Sequence, residues 1–153
     1  MIKKPLVITA GQLEQLQSGD VLAPIPTTLE LINGENFSIL PGNPVFIDTA
    51  NTAKYANAED NKDAIALCTE EVLSSASGIF QVDGILSLIT GQWDAVTGAT
   101  GGLTPGAVYF LDDIDVARIT KVAPTTTGHY IVRVGIAINS TDLKIAIGTP
   151  IKL

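Results

Sequence analysis

The chain writes one corner twice, and that corner restricts what it can fold into. From Pro41 the sequence reads "PGNPVFIDTANTAKY", and from Pro105 it reads "PGAVYFLDDIDVARI". Aligned without gaps, Pro41 falls on Pro105, Gly42 on Gly106, Phe46 on Phe110, Asp48 on Asp112 and Ala53 on Ala117. Pro sets its own φ and Gly tolerates the left-handed region, so each pair marks a turn. A short apolar, aromatic-bearing strand ending in Asp follows, then a return strand, a polar loop and a longer strand. Further on, "DAIALCTEEV" takes the place of "GHYIVRVGIAI". A recurring turn-and-strand unit is the pattern of an internal duplication within one β-domain.

The rest of the chain has the same rhythm. "PLVIT", "TLELI", "PVFID", "AIALC", "GIFQV", "ILSLI", "AVYFL", "HYIVRVGIAI" and "LKIAI" are short runs rich in β-branched or aromatic residues, bounded by Gly, Pro, Asn or Asp. Turn signals fall roughly every ten residues, the spacing of an all-β sandwich or barrel. Asn33-Gly34 predicts a two-residue hairpin joining "TLELI" to "FSIL", and "NSTD" at 139–142 predicts a tight hairpin between the last two long strands. Alternation in "YIVRVGIAI" places Tyr130, Val132, Val134, Ile136 and Ile138 on the core face and turns Arg133 outward. Helix is scarce. "TGQWDAVTG" predicts one short turn with Thr90 as N-cap and Gly98 as stop, and "AGQLEQLQSGD" is read as a single turn.

The fold class expected is all-β: a compact barrel or sandwich with short hairpins, one short helical turn and an extended N-terminal arm. The arm is expected over residues 1–35, where Pro24 and Pro26 enforce an extended path. The β-body is expected over 36–153, with related halves at 41–89 and 105–153.

Composition narrows the function. The 153 residues are 46% hydrophobic and only 16% charged, below the ~25% of an ordinary globular domain, which suits a chain that packs against other protein. The net charge of −7 and the scattered nine Lys and Arg argue against nucleic acid, which needs clustered cations. No apolar run approaches the ~20 residues of a membrane span. The polar residues that follow Lys3-Lys4 and a short apolar run do not fit a signal peptide.

Catalytic, cofactor and metal sites are not expected. Cys68 is the single cysteine and His129 the single histidine, too few for a metal cluster. Cys68 reads as a buried, inert thiol and His129 as a strand-entry residue. Asp112, Asp113 and Asp115 read as an acidic turn lacking the Gly and the terminal Glu of a calcium loop. "TGATGGLTPG" lacks the Lys-Ser/Thr of a phosphate loop, and Trp93 reads as a core anchor. The expectation is a protein that is not an enzyme.

Three stretches, "KPLVITAGQLEQLQSGDVL", "GQWDAVTGATGGLTPGAVYFLDD" and "APTTTGHYIVRVGIAINSTDLKIAI", resemble a module of tailed-bacteriophage structural proteins, found in capsid decoration (cement) proteins and in head and tail fibres. The resemblance is carried by Trp93, Gly102, Leu103, Thr104, Pro105, Gly106, Tyr109, Val132, Val134, Gly135, Ala137, Thr141, Leu143 and Ile145. It implies a homotrimeric protein on the outer surface of the virion head, made in the host cytoplasm and partnered by the major capsid protein. Lys3, Lys4, Pro5, Leu6, Val7 and Ile8 would form the capsid-binding arm, and Arg133 would lie at a subunit interface. Trp93, Pro105, Gly106, Tyr109 and Gly135 would hold the core and turns. The alternative implied is a tail-fibre, head-fibre or other receptor-binding virion component.

Overall fold

The structure is a computed structural model that describes residues 6–9, 12–15, 27–60 and 64–153, the first two segments by their backbone. Strands β1 (Leu6–Thr9) and β2 (Gln12–Gln15) pair antiparallel, with Leu6 opposite Gln15 and Thr9 opposite Gln12. Residues 12–15 are therefore strand and not the turn expected there; a segment this short cannot nucleate a stable helix.

Strands β3 (Thr28–Asn33), β4 (Pro44–Thr49), β5 (Thr52–Tyr55), β6 (Ala66–Cys68) and β7 (Ser77–Gln81) close into a barrel in the order β3-β5-β4-β6-β7. Every pairing is antiparallel except β3 with β5, the parallel seam that closes the barrel. Leu31, Val45, Ala53, Ala66, Cys68 and Phe80 fill its interior, with Ile39 and Val72 bridged across one end.

A second unit follows after only Val82 and Asp83. It comprises β8 (Gly84–Ser87), helix α1 (Thr90–Thr97), β9 (Val108–Leu111), β10 (Ile119–Thr120), β11 (Tyr130–Ile131), β12 (Arg133–Ala137), β13 (Asp142–Ile145) and β14 (Ile151–Lys152). Its five-stranded sheet runs β10-β9-β12-β13-β8, with β11 and β14 paired separately.

The two units share one plan. Reading β5-β4-β6-β7-β3 beside β10-β9-β12-β13-β8, each has a first strand flanked by its return strand and third strand, then a fourth, then the leader strand that began the unit. The Pro-Gly corners coincide. Asn43 N–H donates to Leu40 O, and Ala107 N–H to Thr104 O, at 3.1 Å each. Gly42 and Gly106 both take positive φ, 85° and 76°, as the third position of a Pro-Gly type II turn requires. Val45 and Tyr109, the first core residues after each turn, are both buried.

The strand order therefore recurs in the two units. That order spans 28–81 and 84–145, each stretch beginning with a leader strand (β3 or β8) that pairs with the fourth strand and not with its sequence neighbour. The same pairing puts β3 inside the barrel, so residues 28–33 belong to the body and not to an arm ending at 35.

Closure distinguishes the units. Where β3 meets β5 in the first, β8 and β10 do not pair in the second; α1 packs beside β10 instead. Trp93 and Val96 project from that helix into the second core and are fully buried, among Leu86, Leu111, Ile119, Val132, Val134 and Leu143. The helix stands where the first unit uses a strand seam. It begins after Ile89, whose N–H donates to the Gln92 side chain, so the N-cap is Ile89 and not Thr90. Gly98 ends it at φ 67°.

The two interiors adjoin along one boundary. Ala56, Ala58 and Leu67 of the first belong to the core of the second. Segment 56–58 exchanges backbone bonds with Asp112, Ala117 and Tyr130, and the buried Asn43 amide donates to Ala117 O at 2.9 Å. Asp83, between the units, accepts Thr27 N–H at 2.7 Å and the Thr27 hydroxyl at 3.0 Å.

Two local expectations are corrected. Asn33-Gly34 does not make a hairpin to "FSIL". Asn33 is buried, donating its amide to Phe37 O at 2.9 Å and Val72 O at 2.8 Å and accepting Glu35 N–H at 2.7 Å, and it turns the chain towards the barrel end. In β12 the register shifts between Arg133 and Gly135. A bulge adds one residue and reverses the alternation beyond it. Val132 and Val134 face the core as expected, whereas Ile136 and Ile138 are exposed and Ala137 is buried.

Candidate functional site

The outer face of β4 and β5 carries a cleft of about 450 Å³ lined by Glu35, Phe37, Phe46, Asp48, Lys54, Tyr55 and Val116. Cross-strand register builds its floor: Phe46 lies opposite Lys54, and Asp48 follows two residues along on the same face. Lys54 and Asp48 form an ion pair at 2.9 Å; the Asp48 hydrogen bond and charge raise the Lys54 pKa above its ordinary 10.5. One wall is the loop after β3. It places Glu35 so that Oε1 accepts Tyr55 N–H at 2.9 Å. It also sets Phe37 in an offset stack on Tyr55, with centroids 6.1 Å apart and planes 24° from parallel. The Tyr55 hydroxyl donates to Ser38 O at 2.8 Å. Partial burial, with Glu35 nearby, raises the Tyr55 pKa. Val116 of the second unit closes the far side, beside Ala117, which holds a left-handed φ of 63°. Phe37 remains 61% exposed.

A second constellation gathers the residues of the phage resemblance. Trp93 Nε1 donates to Thr141 O at 2.8 Å and Leu103 N–H to Ser140 O at 2.9 Å. The Asp94 carboxylate accepts Gly102 N–H at 2.6 Å, and the Tyr109 hydroxyl accepts Thr104 N–H at 2.9 Å. Gly106 N–H donates to Ala137 O at 2.8 Å. At Gly102 a Cβ would collide with Ser140 O, and at Gly135 with Lys144 O. Trp93, Pro105, Gly106, Tyr109 and Gly135 thus surround one corner, where helix, Pro-Gly turn and "NSTD" hairpin meet. They hold the fold and present no reactive group.

Of the arm residues, Lys3, Lys4 and Pro5 lie outside the described residues. Leu6, Val7 and Ile8 form β1 opposite Gln15, Glu14 and Leu13. Arg133 is exposed as expected, its Nε donating to Ala146 O at 3.1 Å.

Cys68 is fully buried and donates to Glu70 O at 2.8 Å; burial pushes its pKa up to about 12. His129 is not alone: Nδ1 lies 3.0 Å from Asp113 Oδ2, a pair that local pattern does not reveal. Asp112 Oδ1 accepts Ile114 and Asp115 N–H, and Asp115 pairs with Arg118 at 3.0 Å. Each acid of the "LDDID" turn is therefore engaged separately. Among the described residues no group of three His, Cys, Asp or Glu gathers as a metal site, and no helix is long and apolar enough to cross a membrane.

The aromatic cleft is what sequence reading missed. Its rings come from three separate stretches, and only the β4–β5 pairing, implicit in the return strand of the repeat, brings Phe46 and Tyr55 together. Set beside protein-family models, curated proteins and solved structures, the chain matches none of them.

Proposed function

We propose that this chain is a structural protein of a tailed-bacteriophage particle: a capsid decoration protein, homotrimeric, that binds the outer surface of the head and braces the major capsid protein beneath it. One observation carries the reading. On the outward face of the second sheet, Ile85, Lys144, Ile136 and Val108 stand in register across β8, β13, β12 and β9, and Ile138 lies beyond them. Ile85 is 52% exposed and Ile138 49%. A β-face that keeps branched apolar side chains in water is built for contact with other protein. Two units of one strand order, tied by Ala56, Ala58 and Leu67 in the second core, add stiffness, as a brace needs. The sparse, acidic charge disfavours DNA. Main-chain pairing by an N-terminal strand would add affinity at the shell.

The fibre or receptor-binding alternative draws support from the aromatic cleft on the outer barrel face. The test is to mix purified chain with expanded heads that lack it and sediment the mixture. The full chain is expected to travel with heads at a fixed copy number, and a chain lacking residues 1–9 to stay folded but remain behind. A full chain that never travels with heads overturns the reading.

A further inference from the structure

The brace reading gives no task to the cleft on the outer barrel face, although its groups are fixed before any ligand arrives. The Tyr55 hydroxyl and N–H are both held, by Ser38 O and Glu35, and Phe37 is stacked on the Tyr55 ring while its backbone carbonyl accepts from the Asn33 amide. A phenyl ring held largely in water over a polar floor presents an apolar surface without the freedom to collapse onto the core.

The lining selects among ligands. Among the described residues lining the cleft, Lys54 is the one cation, and it faces two carboxylates: Asp48, its ion-pair partner at 2.9 Å, and Glu35, whose charge also acts on it. The net field is negative, which disfavours phosphates, sulfates and acidic sugars. The cleft floor itself is the β4–β5 ladder, already paired from Val45–Tyr55 to Thr49–Thr52, so its side chains and not a strand edge face a ligand. A neutral ring with one apolar face and a rim of hydroxyls fits both features. Its axial C–H groups, slightly positive, rest on the negative face of an aromatic ring. Its vicinal hydroxyls donate to Glu35 and Asp48 and accept from Lys54. The cleft volume of about 450 Å³ lies within the ~300–1,000 Å³ of small-ligand sites.

We infer that this cleft binds a neutral saccharide, with Phe37 and Tyr55 as the stacking platform and Glu35, Asp48 and Lys54 as the hydroxyl-reading groups. The inference stands on the cleft alone and does not require attachment to a virus head.

The test uses the full chain with a panel of neutral trisaccharides (maltotriose, cellotriose, mannotriose and the N-acetylglucosamine trimer), with sialyllactose as the anionic member. Binding is read by saturation-transfer NMR and by calorimetric titration. At least one neutral trisaccharide is expected to bind, with saturation strongest on its ring C–H protons, and sialyllactose to bind at least tenfold more weakly. Phe37→Ala is expected to weaken binding at least tenfold; at 61% exposed, the ring can be removed without opening the core, and circular dichroism checks that the fold persists. Lys54→Gln is expected to weaken binding severalfold, and Ile85→Ala, on the other unit, to leave it unchanged. The inference is overturned if no neutral trisaccharide binds at millimolar concentration, if Phe37→Ala binds like the parent, or if sialyllactose binds best.

Discussion

Gly42 and Gly106 hold the same corner of two β-units but face different surroundings. Each donates its N–H at 2.8 Å to the third strand of its own unit or to that strand's last residue, Cys68 O in one case and Ala137 O in the other. Around Gly42, however, a Cβ would meet Val96, Leu88 and Trp93 at 3.0–3.2 Å, all from the second unit, whereas around Gly106 it would meet nothing within 4 Å. The first corner is a seat for the neighbouring unit; the second is open.

That difference makes a paired prediction. Gly106→Ala is expected to cost about 1–2 kcal/mol, the strain of a left-handed L-residue. Gly42→Ala should cost that and a further ~1–3 kcal/mol for crowding a packed core. Urea denaturation of both variants measures the gap, and equal losses would show that the second unit does not press on the Gly42 corner.

Cys68 is expected to be unreactive towards an aromatic disulfide reagent at pH 8 in the folded protein. The thiolate is the attacking species, and burial holds the thiol at a pKa of about 12. Labelling should follow the unfolding curve as urea is added. Prompt labelling without denaturant would mean that the barrel opens locally.

Asp142 supplies a pH dependence with a definite sign. Hydrogen bonds from Ser87 first, and then Asn139 at 2.7 Å, lower its pKa below the ordinary 3.8. The folded state therefore favours the carboxylate. This stabilisation is complete above pH 3.8 and is lost as pH falls through the depressed folded value. Asp142→Asn is expected to be less stable than the parent at pH 7, with the difference shrinking under acid. A constant difference from pH 7 to pH 2 would remove the charge from the account.

Arg133 is the charge expected at a subunit boundary. In the proposed trimer, Arg133→Glu, on an exposed strand position, should leave circular dichroism unchanged and shift sedimentation towards monomer. An unchanged mass places the boundary elsewhere.

Much of this fold was legible in the sequence because turns are local. Pro41-Gly42, Pro105-Gly106 and the "NSTD" hairpin, where Asn139 Oδ1 accepts Thr141 and Asp142 N–H at 2.8 Å each, announce themselves within four residues. Trp93 was legible as a core anchor for the same reason. What failed depends on distant partners. The Asn33 amide is engaged by Val72, 39 residues away, so Asn-Gly could not act as a free hairpin turn. The leader strands β3 and β8 pair with strands about fifty residues on, or more, and no periodicity carries that information. Simple alternation puts Ile136 and Ile138 on the wrong face because one extra residue in β12 changes the phase of all that follow. The cleft escaped for a related reason: Phe37, Phe46 and Tyr55 are unremarkable singly and become a surface only when the barrel curls.

The short connection at Asp83, with Leu67 of one unit packed in the core of the other, has an evolutionary consequence. Two units of one plan on a short connection are ordinarily free to diverge, separate or recombine. Here the second unit cannot be excised or exchanged without exposing Ala56, Ala58 and Leu67 to water, so residues on the two sides of that boundary must change together.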